Sequence, residues 1–284
     1  MKIHSFTSPD PVDYLVIGHI TQDITPSGNK IGGTVSFSGL TAASFGKKVG
    51  IVTSCAYDLD ISPVNQLEAA IRYCDRTTTF ENIQTPNGRI QRLHQRADEL
   101  DLSSIPEAWR NAPIVHLGPL AREVAPTLVH AFPNSMVCVT PQGWLRDWDT
   151  SGKVRVGAWP EASYVLEGAE AAVLSLEDVG GDESLIEEMM SSVRVMAVTE
   201  GAIGARVFWN GDLRWFTPPV IEEVDPTGAG DIFAAAFFIL LNQMHDPWEA
   251  ARTATRLASN SVTRSGLLSV PTREEIQVAL LEVV

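Results

Sequence analysis

Val224-Asp-Pro-Thr-Gly-Ala-Gly-Asp-Ile-Phe-Ala-Ala-Ala-Phe-Phe238 decides how this chain is read. Asp225 and Pro226 end an extended segment, and Thr227 can cap the next helix. Gly228, Ala229 and Gly230 then run into an apolar, alanine-rich helix expected to continue to about Gln243. Small residues at a helix start leave backbone N–H groups open where the helix dipole favours an anion. Asp231 puts a carboxylate in the first turn of the same helix. A phosphate cradle with a potential general base beside it points to phosphoryl transfer. Taken alone, Asp231 is more simply explained as an acidic first turn that steadies the helix.

The rest of the chain bounds this reading. Its 284 residues can bury a large core as one α/β domain. A formal net charge of −14 argues against nucleic acid or an anionic membrane as the main partner, while leaving room for an anionic ligand in a locally positive site. Cys55, Cys74 and Cys138 are far apart and form no CxxC, so a disulfide scaffold or structural zinc is not expected and a reducing cytoplasm fits best. No run reaches the roughly 18–20 apolar residues of a membrane span. Met1–Asp10 lacks the apolar centre of a signal peptide, so a soluble cytoplasmic protein is expected.

Short apolar runs recur at Asp13–Ile20, Val49–Ala56, Pro113–Leu117, Met136–Thr140, Ala171–Leu176 and Arg194–Thr199. Near-continuous hydrophobicity of this kind suits parallel strands covered on both faces. Helices are predicted at Ser38–Phe45, Pro63–Tyr73, Glu123–Ala131 and Ser184–Ser191, and at 229–243, 247–264 and 272–283. The alternation predicts an α/β fold: a doubly wound, mostly parallel sheet flanked by helices. Two hairpins break the rhythm. Thr77–Arg96, polar and with an Asn87-Gly88 turn, reads as a flap projecting beyond the sheet. Ala205–Phe216, turning at Asn210-Gly211, reads as an edge ribbon. Residues 1–284 are thus expected to form a single α/β domain with a small β lid at about 77–96.

Asp225-Pro-Thr-Gly-Ala-Gly-Asp231, followed by Ile-Phe-Ala-Ala-Ala-Phe, resembles the C-terminal signature of the ribokinase-like (phosphofructokinase-B) carbohydrate kinases. Gly32-Gly33-Thr-Val-Ser-Phe-Ser-Gly-Leu-Thr-Ala-Ala-Ser-Phe-Gly46 is similar to that family's N-terminal Gly-Gly motif. Val16-Ile-Gly-His-Ile-Thr-Gln-Asp23 looks like its opening strand, which ends in a substrate-binding aspartate. Thr199-Glu-Gly-Ala-Ile-Gly204 and Asn260-Ser-Val-Thr-Arg-Ser-Gly266 resemble the nucleotide-side turn and the closing helix. Within the family, Thr77-Thr-Thr-Phe-Glu-Asn82 and Gln142-Gly-Trp-Leu-Arg-Asp147 look like the myo-inositol kinase-like subgroup.

The resemblance implies an ATP-dependent kinase that phosphorylates a hydroxyl of a sugar or cyclitol. Asp231 would be the general base, and the N–H groups of Gly228, Ala229 and Gly230 the anion hole. Asp23, Gly32, Gly33, Gln142 and Arg146 would hold the acceptor, while Thr199, Gly201, Gly204 and Asn260 would line the ATP side. Mg²⁺ is expected from the resemblance. Ser175-Leu-Glu-Asp178 stands where the family carries Asn-x-x-Glu, so Asp178, or Glu177 in a shifted register, would reach the metal through water. Thr21 and Phe37 stand where many sugar kinases of the family have asparagine, which removes amide hydrogen bonds to a sugar. A cyclitol or a nucleoside acceptor therefore stays open, as does a catalytically silent sugar or nucleotide sensor. The polar hairpin leaves monomer and homodimer open. GxxxxGK[ST], HExxH and GxSxG are all absent from the sequence.

Overall fold

The apolar runs pair side by side in a computed structural model that describes residues 9–26, 28–85 and 88–281. The strands are β1 (Tyr14–Ile17), β2 (Thr21–Thr25), β3 (Gly28–Gly32), β4 (Val49–Ala56), β5 (Glu68–Cys74), β6 (Thr78–Thr85), β7 (Gly88–Gln95) and β8 (Ile114–Leu117). They continue as β9 (Met136–Val139), β10 (Arg146–Trp148), β11 (Val154–Val156), β12 (Ala171–Ser175), β13 (Val195–Thr199), β14 (Ala205–Trp209) and β15 (Asp212–Phe216). The helices are α1 (Thr34–Ser44), α2 (Ala162–Glu167), α3 (Glu183–Met190), α4 (Ala229–Met244), α5 (Pro247–Ser261) and α6 (Arg273–Leu281).

Among the described residues, nine strands form one sheet in the order β15-β14-β13-β12-β9-β8-β1-β4-β5. All neighbours run parallel except β13–β14 and β14–β15. Helices cover both faces, so the predicted doubly wound architecture is correct. One core gathers Tyr14, Val16, Ile51 and Ala197 under α1, α4 and α5; the other gathers Leu15, Ile17, Val115 and Val198 under α2 and α3. Alternate residues of each strand feed opposite cores, which is why the strands read as unbroken apolar runs. Helix α4 is buried from Ile232 to Leu241, so its sequence is apolar all round rather than striped. Asp246 caps α5 by accepting from Trp248 N–H and Glu249 N–H, with Pro247 at the first turn.

The order of strands reverses between β1 and β8, where a crevice opens at the carboxyl ends of an α/β sheet. Above it stands a second sheet, ordered β3-β2-β6-β7. The hairpin expected to act as a lid is therefore only half of a four-stranded sheet. The opening run does not continue to Asp23 as one strand: β1 stops at Ile17, and Asp23 lies in β2, paired with Phe80 and Lys30. Phe80 and Leu93 pack on Leu120 and Ala121, fastening the lid's base to the body. The Asn87 turn falls outside the described residues.

Two predicted helices are corrected. Residues 63–73 form a short 3-10 turn at Ser62–Val64 and then the edge strand β5. Glu68-Ala-Ala-Ile-Arg has helical propensity, but parallel pairing with β4 along Gly50–Ala56 overrides it. Residues 123–131 give only a 3-10 helix, Pro126–His130, because Pro126 supplies no N–H and the Glu123 carboxylate binds the N–H groups of Leu120 and Ala121 instead. The second hairpin is the sheet's edge as expected, with Asn210 at φ 52° and Gly211 at φ 77° in its two-residue turn.

Candidate active site

Helices α1 and α4 both start at the crevice, and their first turns meet there. Gly228 opens α4 with φ 84°, a left-handed conformation suited to glycine, and a Cβ there would collide with the Phe37 ring. Nothing lies within 4 Å of where a Gly230 Cβ would stand, so there is open space beside this turn, although the Ala229 N–H donates to the Pro226 carbonyl at 3.2 Å. The loop before it is tied down by Asp225. Its carboxylate accepts from Thr227 N–H at 3.0 Å, from the Ser265 hydroxyl at 2.8 Å and from Gly266 N–H at 3.2 Å. Along the sequence Asp225 reads only as the end of a segment; its role as a clamp between two distant loops is visible in three dimensions.

Asp231 sits one turn into α4, partly buried, with its backbone carbonyl accepting from the Ser38 hydroxyl at 3.1 Å. Burial pushes its carboxyl up to about 6, against the opposing pull of a Thr34 hydrogen bond and of Arg146; the nearby Asp178 and Asp23 push it further up. Asp231, Asp178, Asp23 and Arg146 are thus one electrostatic cluster drawn from α4, the Ser175–Asp178 turn, the lid and β10. Sequence reasoning does not single out Thr34, although it directly follows the Gly32-Gly33 pair at a helix start.

Asp23 is held in place from two sides. Its carboxylate accepts from the Thr21 hydroxyl at 3.2 Å, and a Cβ on Gly32 would collide with it. Gly32 therefore makes room for a side chain of the same chain. Gly33, at φ 92°, starts α1 where a Cβ would meet the His19 carbonyl. Phe37 does not face the acceptor space: it is 2% exposed and packed beneath Gly228, so its replacement of asparagine shapes the loop rather than the crevice.

Gln142 donates to Asp178 Oδ1 at 2.8 Å, and Ser175 N–H donates to Oδ2 at 2.8 Å. Burial raises the Asp178 carboxyl, opposed by Arg146 and by these two bonds. Gln142 is thus committed to a carboxylate, while Glu177, the shifted-register alternative, is exposed beside it. Arg146 donates to the Leu120 carbonyl at 3.0 Å and lies over the Phe80 ring, 5.3 Å from its centroid, which links the lid to the body beside the carboxylates. Among the described residues no three His, Cys, Asp or Glu side chains gather as a metal cage. Mg²⁺ is compatible with fewer protein ligands, since it keeps several waters.

Thr199 closes β13, and Gly201 (φ 57°) and Gly204 (φ 117°) shape the turn after it. A Gly204 Cβ would run into the Phe216 carbonyl, so this glycine is required by packing against β15. Asn260 lies in the last turn of α5, two residues before Val262, whose carbonyl accepts from Val224 N–H and Asp225 N–H. That pair of bonds ties the end of α5 to the loop that leads into α4.

The clamp carries a pH prediction. Burial tends to raise the Asp225 carboxyl, but hydrogen bonds from Thr227, Ser265 and Gly266 outweigh it and hold the group below its ordinary value. A depressed carboxylate contributes stability above the unfolded-state value, and that contribution is lost as pH falls through the folded one. Asp225→Asn is therefore expected to lower the Tm at pH 7, with the gap to wild type closing below about pH 4. Thermal melts across a range of about pH 3–7 check it, and a gap independent of pH would remove the charge from the explanation.

A family model described as pfkB family carbohydrate kinase matches residues 167–273, which include α4 and the Asp231 motif. A cytidine kinase of Thermococcus kodakarensis is 26% identical over 255 residues, covering 80% of this chain and 87% of that one. An inositol 3-kinase of Oryza sativa subsp. japonica is 27% identical over 257 residues, covering 80% of this chain and 62% of that protein. A pyrophosphate-dependent kinase in the ribokinase family, solved with a pyrophosphate analog and myo-inositol, superposes with a TM-score of 0.78 at 22% identity, covering 93% of this chain and 99% of that one. No helix among the described residues is long and apolar enough to cross a membrane. With its doubly wound sheet and smaller second sheet the chain has the ribokinase fold, its residues 167–273 match the pfkB carbohydrate kinase model, and it is a phosphotransferase acting on an alcohol group.

Proposed function

We propose that the protein transfers the γ-phosphoryl group of ATP to a hydroxyl of a cyclitol or sugar, with a myo-inositol-like ring as the best candidate. The observation that carries this reading is Asp231: a partly buried carboxylate raised to about 6, in the first turn of a helix that opens on Gly228-Ala229-Gly230 beside open space. Asp231 accepts the proton of the attacking hydroxyl, whose oxygen bonds to the γ-phosphorus as the bond to the ADP oxygen breaks. The N–H groups of Gly228 and Gly230 hold the transferring phosphoryl oxygens, joined by that of Ala229 where it gives up its bond to the Pro226 carbonyl. Asp23 receives hydrogen bonds from two neighbouring acceptor hydroxyls, and the lid closes over them to exclude water. Thr199, Gly201, Gly204 and Asn260 form the nucleotide side. Asp178 would hold Mg²⁺ through water, and the bound ion would supply charge neutralisation to the phosphates.

A nucleoside acceptor is the second reading, supported by similarity to the cytidine kinase and by Thr21 where an amide would bind a sugar. A coupled ADP-release screen over myo-inositol, ribose, fructose, cytidine and adenosine separates the two. The same acceptors with inorganic pyrophosphate test the donor. ATP turnover that no acceptor raises would defeat the kinase reading in favour of a silent sensor.

Asp23→Asn tests the acceptor side. Losing a charge-assisted bond of about 1.5–3 kcal/mol is expected to raise the acceptor KM about 10- to 100-fold. The ATP KM should stay within about twofold, since the bond is made to acceptor alone. Equal changes in both constants would move Asp23 out of the acceptor site.

A further inference from the structure

Three side chains inside the sheet form a hydrogen-bonded line that the functions above leave unused. The Tyr14 hydroxyl lies 2.9 Å from His116 Nδ1, and His116 Nε2 lies 2.9 Å from Thr140 Oγ1. Tyr14 and His116 are both 0% exposed, and Thr140 is 8% exposed. The line begins at the first residue of β1, crosses β8 and ends at the residue directly after β9, at the carboxyl edge of the sheet where the crevice opens.

Counting donors fixes the proton positions. The imidazole is neutral, its pKa lowered to about 3 by burial, and so carries one N–H. Tyr14 keeps its proton, since burial raises it well above its ordinary value, and among the described residues its hydroxyl has no acceptor other than Nδ1. Were Nδ1 protonated, the Tyr14 O–H would be a buried donor with no partner. Tyr14 therefore donates to Nδ1, the proton of His116 sits on Nε2, and Nε2–H donates to Thr140 Oγ1. The Thr140 hydroxyl cannot turn its own proton back to His116. Among the described residues no other acceptor takes it.

Thr140 is also close to the reacting groups. A Cβ on Gly118 would stand 3.1 Å from Thr34 Cβ and 3.3 Å from Thr140 Oγ1, so the two threonines flank one glycine. Thr34 hydrogen-bonds the Asp231 carboxylate, and Thr140 leads through Pro141 into Gln142, the partner of Asp178.

We infer that Thr140 donates a hydrogen bond to an oxygen of the phosphate acceptor, and that the buried Tyr14–His116 pair positions it by denying its proton any inward partner. The inference rests on the acceptor reading of this crevice given above. It assigns Thr140 to binding and Tyr14 and His116 to positioning. Its preferred ligand is a polyhydroxyl ring with an oxygen able to accept at this edge, since an N–H donor placed there would face another donor.

Two measurements test it, with the acceptor taken from the screen as probe. Long-range ¹H–¹⁵N correlation on the wild-type protein should show His116 as the Nε2–H tautomer; an Nδ1–H tautomer overturns the inference. In kinetics, Thr140→Val should raise the acceptor KM about 10-fold or more with the ATP KM unchanged, and Thr140→Ser should restore it to within about threefold. Tyr14→Phe should raise the acceptor KM several-fold in wild type and leave it unchanged in the Thr140→Val background. An unchanged acceptor KM in Thr140→Val of wild-type Tm, or additive effects of the two substitutions, overturns the inference while the kinase reading stands. Absence of turnover with every acceptor by the wild type defeats the kinase reading itself.

Discussion

Asp231→Asn is expected to lower kcat about 10²- to 10⁴-fold, because the amide cannot take the proton of the attacking hydroxyl. The acceptor and ATP should still bind, since the N–H groups at the start of α4 and the Asp23 carboxylate are untouched. Calorimetric titration alongside steady-state rates separates the two effects, and unchanged turnover would remove Asp231 from the chemistry. The wild-type pH profile is a second check. A base with a pKa of about 6 must be ionised to work, so kcat/KM should fall as pH drops through about 6.

The same substitution makes a stability prediction of opposite sign. The folded state binds the Asp231 proton more tightly, with a pKa of about 6, than the unfolded chain does, with a value near 3.8. Folding is therefore opposed by this carboxylate increasingly as pH rises from about 4 to 6, and fully above that. Asp231→Asn should raise the Tm by a few degrees at about pH 7–8, on the order of 1–3 kcal/mol, and the gain should vanish below about pH 4. An inactive variant that is also less stable at about pH 8 would point to lost packing rather than lost chemistry. A gain in stability with a loss of rate is the pattern of a group kept for its reaction.

Gly228→Ala is expected to damage both activity and stability. The left-handed backbone at φ 84° costs a non-glycine residue about 1–2 kcal/mol. The larger cost is steric, because the added methyl enters a Phe37 ring that is itself fully buried and cannot swing aside. The loop must shift, which displaces the N–H groups proposed to hold the phosphoryl oxygens; loss of one such donor typically lowers kcat about 10²- to 10³-fold. Trimming the ring separates the two costs. Phe37→Leu in the Gly228→Ala background should recover part of the stability measured by urea denaturation, because the collision is relieved while the backbone strain stays. No recovery would mean that backbone conformation alone sets the cost.

How far the chain can be read in advance depends on the range of each interaction. The strands under both helical layers, α4 and the second hairpin are legible because their cause is local: apolar runs, caps and an Asn-Gly turn. Residues 63–73 mislead because helical propensity of a few tenths of a kcal/mol per residue loses to a full ladder of pairing with β4. Asp23 is expected on the opening strand, since nothing in Thr21–Thr25 reveals that it pairs with the distant Phe80 hairpin. Phe37 reads as facing a ligand, and only the packing of α1 on α4 turns it under Gly228.

The reaction class was legible in the chain alone, because one short segment, Asp225–Asp231, resembles the kinase signature and brings the proposed anion cradle and the proposed base within four residues of each other. Tertiary structure decided what surrounds them. The lid with Asp23, the Asp178–Gln142 pair, the Asp225 clamp onto Ser265 and the Tyr14–His116–Thr140 line all join residues tens of positions apart. Hydrogen bonds and burial of that kind have no signature along the chain: each partner is an ordinary residue until the fold removes water from between them.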